Sequence, residues 1–527
     1  MHIAVESDKE FSLSPLLSNA ELTVEEIGPE CQRFNPSGSY VSQKKSKLTR
    51  FCVLCGLIAS LTSFMAGYKL AELNNPKDSI MNCNLERING VIFGLPLCLP
   101  MSEVYFGFVT SVLAIGGLMG TMFSSKLADS YGRKNSLIIN SIILIIGSII
   151  EAFAYSPLML VLGRFFSGIG AGIGFVIVPM YLTEIAPIES RGVLNTFNAL
   201  GLTLGTFISQ VMGHFLNIGH RWRIVLGAGI CMSLLSAILL LYVVESPRYL
   251  YENNKERQSK ISLRKLRGTC NIDEEIRSWK QECEKARIEK NESETNSYLS
   301  SDVEQNEYYQ KVDEAEHKLN LISIFGVREY RQPVILAFFL RMCQQLSGIN
   351  VVIFFSSTIL NKTFTKSTSS MLTLLVGLIY FIFTILTAII IDKIGRRKLL
   401  FSSMISMFIS LGLLAMSLIY KFNYMSAISI FLAIMSFAPG LGTLPFLLTT
   451  EIFDTKAMAV GNSISIAVNW IFVFIVGSTF FPLQKLFGDY VFCLFMASLA
   501  FFGYFFYYYL PETKEKNFGQ ISEEFVL

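Results

Sequence analysis

Long apolar stretches, broken at intervals by short polar segments, dominate the chain. A helix needs about 20 apolar residues to cross the hydrocarbon of a bilayer. Stretches of that length predict helices over about 50–72, 104–127, 135–155, 158–181, 193–217 and 223–244, and again over 333–358, 370–391, 398–420, 425–448, 459–483 and 489–510. Six lie on each side of a Lys/Glu-rich polar segment, 246–332, in which 272–280 and 312–319 read as short amphipathic helices. The expected organisation is an N-terminal tail (1–49), a first bundle (50–245), a linker (246–332), a second bundle (333–510) and a C-terminal tail (511–527). The fold class is then an all-α membrane protein of twelve transmembrane helices in two six-helix halves.

The halves repeat a motif. Asp129-Ser-Tyr-Gly132-Arg133-Lys134 joins two apolar stretches of the first half, and Asp392-Lys-Ile-Gly395-Arg396-Arg397 joins two of the second. A carboxylate, a glycine turn and two cations in corresponding loops point to a duplicated, pseudo-symmetric bundle, an architecture typical of secondary transporters.

Composition agrees with a bilayer protein. Only 16% of the residues are charged while 52% are hydrophobic, against about a quarter charged in a soluble chain. The net charge of +3 is too small to imply nucleic acid. No basic start followed by a short apolar core opens the chain, so the first span, not a cleaved leader, is expected to direct insertion. Cations near span ends (Lys126, Arg133, Lys134, Arg191, Arg248, Lys393, Arg396, Arg397, Lys398, Lys514) gather on the side of linker and termini. That side is therefore expected in the cytosol. Four histidines without a nucleophile partner, and no phosphate-cradling glycine loop, leave nothing to carry catalysis. No cofactor is expected, and the ten cysteines show no metal-ligand spacing. Cys83 and Cys98 share the connection after the first span; if it is extracellular a disulfide is permitted there, the alternative being two free thiols.

Further strings carry a resemblance: Gly163-Arg164, Pro179-Met-Tyr-Leu-Thr-Glu184-Ile-Ala-Pro187, Glu189-Ser-Arg191-Gly192, Glu245-Ser-Pro-Arg248, Gln344-Gln345-Leu-Ser-Gly348-Ile-Asn350, Thr450-Glu451-Ile-Phe453 and Pro511-Glu-Thr-Lys514. In this order they resemble the sugar-porter branch of the major facilitator superfamily, and Lys265-Leu-Arg-Gly-Thr269 resembles its animal facilitative glucose transporters (solute carrier family 2). The resemblance implies a major facilitator fold. It also implies a cytosolic gate of Asp129, Arg133, Lys134, Glu184, Arg191, Glu245 and Arg248 in the first half, with Asp392, Arg396, Arg397 and Glu451 in the second. Ion pairs across the halves would latch that side shut when the site opens outward and would separate when it opens inward. Met458 stands where the family carries an Arg, and Lys456 is a nearby substitute.

A neutral polyol suits amides, which both donate and accept. The resemblance implies a substrate site of Gln344, Gln345, Asn350, Asn469 and Trp470, with Phe446, Tyr380 and Asn198 at other pocket positions. Gly348 beside Asn350 and the Pro439-Gly440-Leu-Gly442-Thr-Leu-Pro445 string are expected to break spans seven and ten. The family's gate tyrosines become Phe354 and Phe355. Its span-five Gln becomes Ala199, its span-eight Asn becomes Tyr380, and its glucose-associated Gln-Leu-Ser becomes Arg341-Met-Cys343. A charge at Arg341 is expensive in lipid, and three readings stay open: a carboxylate partner, a substrate contact, or an inner-gate cation reaching toward the cytosol, the last preferred.

Proton-linked members of the family carry an Asp after Gly-Tyr in span one. Here the string is Gly67-Tyr68-Lys69, with Glu72 available to pair on the same helix face. The expected function is facilitated, uncoupled monosaccharide transport across the plasma membrane, with Glu72 as displaced proton carrier the alternative. A polyol or urate-like organic anion is the second substrate reading, and a non-transporting sugar sensor the remote one. Expected partners are the sugar and the bilayer, and a homo-oligomer is left open.

Overall fold

The computed structural model describes residues 48–81, 91–92, 94–187, 190–216, 221–268, 272–273, 275–281, 324, 326–391, 393–454, 457–514, 516, 520–521 and 523–525. Asp392, Lys456, Cys83 and the amphipathic segment at 312–319 lie outside the described residues. Cys98 is disulfide-bonded.

The first half contains six long helices: α1 (Arg50–Ala71), α2 (Glu103–Tyr131), α3 (Arg133–Ala152), α4 (Pro157–Ile185), α5 (Arg191–Leu216) and α6 (Trp222–Leu241). The second half builds its six spans from eight helices: α7 (Arg331–Leu346), α8 (Ile349–Leu360), α9 (Lys366–Ile390), α10 (Arg396–Ile419), α11 (Asn423–Phe437), α12 (Leu444–Glu451), α13 (Met458–Phe487) and α14 (Val491–Tyr509). Span seven is α7 plus α8, broken at Gly348, whose φ of +79° is left-handed backbone open to glycine. Span ten is α11 plus α12, interrupted at 438–443 by the Pro-Gly string. Both breaks fall where the sequence places them.

Starts are dictated by side chains. Thr49, Ser102 and Ser156 each accept from a backbone N–H three residues on (Cys52, Tyr105 and Met159), closing the open ends of α1, α2 and α4. Helices α2 and α4 reach 29 residues each, or about 44 Å at 1.5 Å per residue. That exceeds the hydrocarbon thickness of about 30 Å, so these helices either tilt or extend beyond the hydrocarbon.

Within the first half, helices touch backbone to backbone. A Cβ added at Gly67 would lie 1.8 Å from the Leu202 carbonyl oxygen, and one at Gly116 2.1 Å from that of Phe165. Small residues allow such approach where lipid supplies no hydrophobic drive. Gly67→Ala is therefore expected to force α1 and α5 apart, costing about 1–3 kcal/mol or more. The check is thermal unfolding and size exclusion against Gly192→Ala, a site with open space around it; equal behaviour of the two variants would contradict the packing argument. The two halves meet mainly along α2–α13, where Trp470 lies on Gly117, and along α5–α9, where Phe207 lies on Gly377.

Candidate functional site

The break in span seven collects the amides. Gln345 donates through Nε2 to Asn469 Oδ1 at 2.6 Å, and Asn350 donates to Gln345 Oε1. All three are largely buried, beside Trp470, whose Nε1 makes no hydrogen bond among the described residues. Gln344 is used differently. Its Nε2 donates to the Leu441 and Gly442 carbonyls at 2.7 and 3.2 Å, acceptors released by the break in span ten. Gln344 thus ties one broken span to the other, and its Oε1 accepts from Arg341 at 3.1 Å.

Other expected pocket positions are dispersed. Asn198 accepts from Ser63 at 2.6 Å, joining α1 to α5, and the Tyr380 ring lies 6.4 Å from that of Phe437; neither bonds to the Gln345 cluster. Phe355 stacks on Phe480 with centroids 5.5 Å apart, an apolar nest with no hydroxyl to offer. Sequence reasoning missed Phe175 on α4, which crosses to the other half and packs on Phe446 (5.0 Å) and Trp470 (5.8 Å). Its only signal was its place in a glycine-rich helix.

Arg341 corrects the preferred expectation. It is fully buried and does not reach outward. Its guanidinium lies over the Phe446 ring at 3.5 Å from the centroid, and its Nε donates to Ser465 Oγ at 2.8 Å. No carboxylate among the described residues pairs with it.

The first half holds a second buried polar centre. Lys69 pairs with Glu72 at 3.0 Å and with Glu151, while Arg164 pairs with Glu72 at 2.8 Å and donates to the Lys69 carbonyl at 2.6 Å. All four side chains are fully buried, and two cations balance two anions. The Lys69–Glu72 pair was expected; Glu151 was not.

At the linker end each half repeats one circuit. Arg133 pairs with Glu184 at 2.9 Å, and Arg396 with Glu451 at 3.3 Å. Glu245 accepts from the N–H groups of Arg133 and Lys134 at the start of α3; Glu512 does the same for Arg396 and Arg397 at the start of α10. Lys134 and Arg397 reach the carbonyls of Leu241 and Tyr507, the ends of the sixth and twelfth spans. Glu512 was absent from the expected gate although its Pro511 string was noted. Asp129 is 3.7 Å from Arg133 and largely exposed, a contact worth about 0–1 kcal/mol. Arg191 starts α5 with no ion pair among the described residues, and Arg248 pairs with Glu252 on the surface. Just outside the spans, burial and then Glu245 raise the Tyr249 phenol above its ordinary pKa. In this conformation, closed at the opposite end, pairs formed between described residues at this end stay within one half, each carboxylate emerging beside the motif of its own bundle; pairing across the halves was expected for the outward-open state, which is not the state seen here.

Cross-half bonds gather at the opposite end. Asn74, just past α1, donates to the Ile353 carbonyl at 2.9 Å and to Ser356 Oγ at 2.7 Å, and accepts from the Ser357 N–H at 3.2 Å. His214 bonds Ser370 at 3.0 Å, and Lys366 pairs with Asp78 at 3.2 Å. The amide cluster is thus closed off at this end and walled by Phe175, Phe446 and Trp470.

Comparison with solved structures finds the same fold in the xylose transporter XylE from E. coli. The partially occluded inward open conformation matches with a TM-score of 0.70 at 22% identity over 89% of this chain and 100% of that one. Among curated proteins, the chain is 33% identical to facilitated glucose transporter member 2 of solute carrier family 2 from Rattus norvegicus, over 79% of this chain and 76% of the relative. It is 30% identical to facilitated glucose transporter protein 1 of Caenorhabditis elegans, over 91% of each. Residues 55–525 match the family described as "Sugar (and other) transporter".

Proposed function

The chain belongs to the sugar (and other) transporter family, and from that premise we propose that it is a facilitative carrier of a monosaccharide, a hexose such as glucose or fructose. It works by alternating access without proton coupling, in the plasma membrane, with linker and termini in the cytosol. The observation that carries the reading is the uncharged Gln345–Asn350–Asn469 cluster beside Trp470, at the break of span seven and on the seam between the halves. Amides that bond one another can exchange those bonds for sugar hydroxyls without unmasking a charge. The Asn74 bonds then hold the extracellular side shut, and the in-half ion pairs leave the cytosolic side without a latch.

Lys69 supports the absence of coupling. A cation occupies the position of the family's proton-carrying carboxylate, and both oxygens of Glu72 are engaged by Lys69 and Arg164. In cells lacking hexose carriers, uptake of labelled D-glucose or D-fructose is expected to be saturable, to exclude L-glucose and to be unchanged by a protonophore. Gln345→Ala unpairs Asn350 and Asn469, groups worth about 1–3 kcal/mol when left buried, so hexose flux should fall about tenfold or more. Unchanged flux in that variant, or collapse with the protonophore, would refute the corresponding half of the proposal.

A further inference from the structure

Among the described residues, three cations lie fully buried within membrane-spanning helices, and they differ in one respect. Lys69 and Arg164 have carboxylates within 3.0 Å, whereas Arg341 has none among the described residues. An unpaired buried charge is expensive, and hydrogen bonds to neutral groups offset only part of that. Arg341 has one bond to Ser465, one to Gln344 and the face of Phe446. Its Nη2 makes no hydrogen bond among the described residues, and neither does Trp470 Nε1. Both groups can only donate, and they border one aromatic wall through the contacts Arg341–Phe446, Phe446–Phe175 and Phe175–Trp470.

We propose that Arg341 and Trp470 form an anion-accepting subsite of the sugar site, so that sugars bearing a carboxylate, such as hexuronates, bind more tightly than their neutral counterparts. A carboxylate supplies the missing countercharge and acceptors for both donors, and a planar guanidinium with one Nη2 group unbonded among the described residues suits it. A hydroxyl supplies an acceptor but no charge. The inference rests on the sugar reading of the site and deepens it by naming a substrate class.

The test compares D-glucuronate with D-glucuronamide, which share a ring and differ in charge. In proteoliposomes of the full chain, both compete against flux of the labelled hexose the protein carries. A charge-assisted hydrogen bond is worth about 1.5–3 kcal/mol, so glucuronate should inhibit at about one tenth the concentration of the amide, or less. Arg341→Gln should bring the ratio near unity and Arg341→Lys should keep part of it; reading a ratio within each variant cancels a general loss of flux. Equal inhibition by the two compounds in the wild type, with hexose flux intact, would overturn the subsite and leave the hexose reading standing. Absent hexose flux with Arg341-dependent uptake of labelled glucuronate would overturn the hexose reading and keep the subsite. Absence of both fluxes from correctly folded protein would end both.

Discussion

Glu151→Gln protein is expected to unfold far more readily than the wild type, by about 3–5 kcal/mol. The substitution keeps the shape of the side chain and removes one of two anions facing Lys69 and Arg164 inside the first bundle. Glu72 would then have to neutralise both fully buried cations alone. Lys69→Met combined with Glu151→Met removes a cation and an anion together, and should recover most of the loss, since apolar replacement of a whole buried pair is often neutral. Thermal unfolding in detergent of the single and double variants separates these outcomes. Wild-type stability in Glu151→Gln would show that Lys69 does not depend on Glu151.

The second large effect is conformational. Asn74→Ala removes four side-chain hydrogen bonds, to the Ile353 carbonyl, Ser356 Oγ, the Ser357 N–H and Ser357 Oγ. At about 1 kcal/mol net for each, less what water restores, the state closed at this end should lose about 2–4 kcal/mol. That corresponds to a shift of about 30-fold to 1,000-fold in the balance of states. Ser370→Cys, buried at the same seam, would report the change in a background with the exposed Cys231 and Cys493 replaced. An impermeant maleimide should label it at least tenfold faster when Asn74 is Ala. Equal labelling rates would mean that the seam is held by other contacts.

Much of the fold was legible because its signals are local. The spans follow from runs of apolar residues, the two breaks from Gly348 and Pro439, and the Lys69–Glu72 pair from a separation of three residues. What escaped is long-range. Glu151 lies 82 residues from Lys69, and nothing in its own stretch distinguishes a charge turned inward from one at a helix end. The partners of Asn74 lie 279 to 283 residues away. Arg341 was placed at a cytosolic gate from its depth in span seven, but depth does not reveal which face a side chain takes. The Phe446 ring and Ser465 set that face. The cations and acids at the linker end were legible by residue type, while the in-half circuits they form in this conformation depend on Glu245 and Glu512 returning across a whole bundle, which no local pattern reveals.

That in-half pairing bears on how the molecule was doubled. Glu245 reaches back 112 residues to the N–H of Arg133, and Glu512 reaches back 116 to that of Arg396. The repeat between the halves therefore extends beyond the signature loop: in each half it includes the first carboxylate past the sixth helix, which closes back on that loop. Two bundles that each fasten this end internally place no ion pair between described residues of different halves there, so at that end the seam between them carries no electrostatic tie to break.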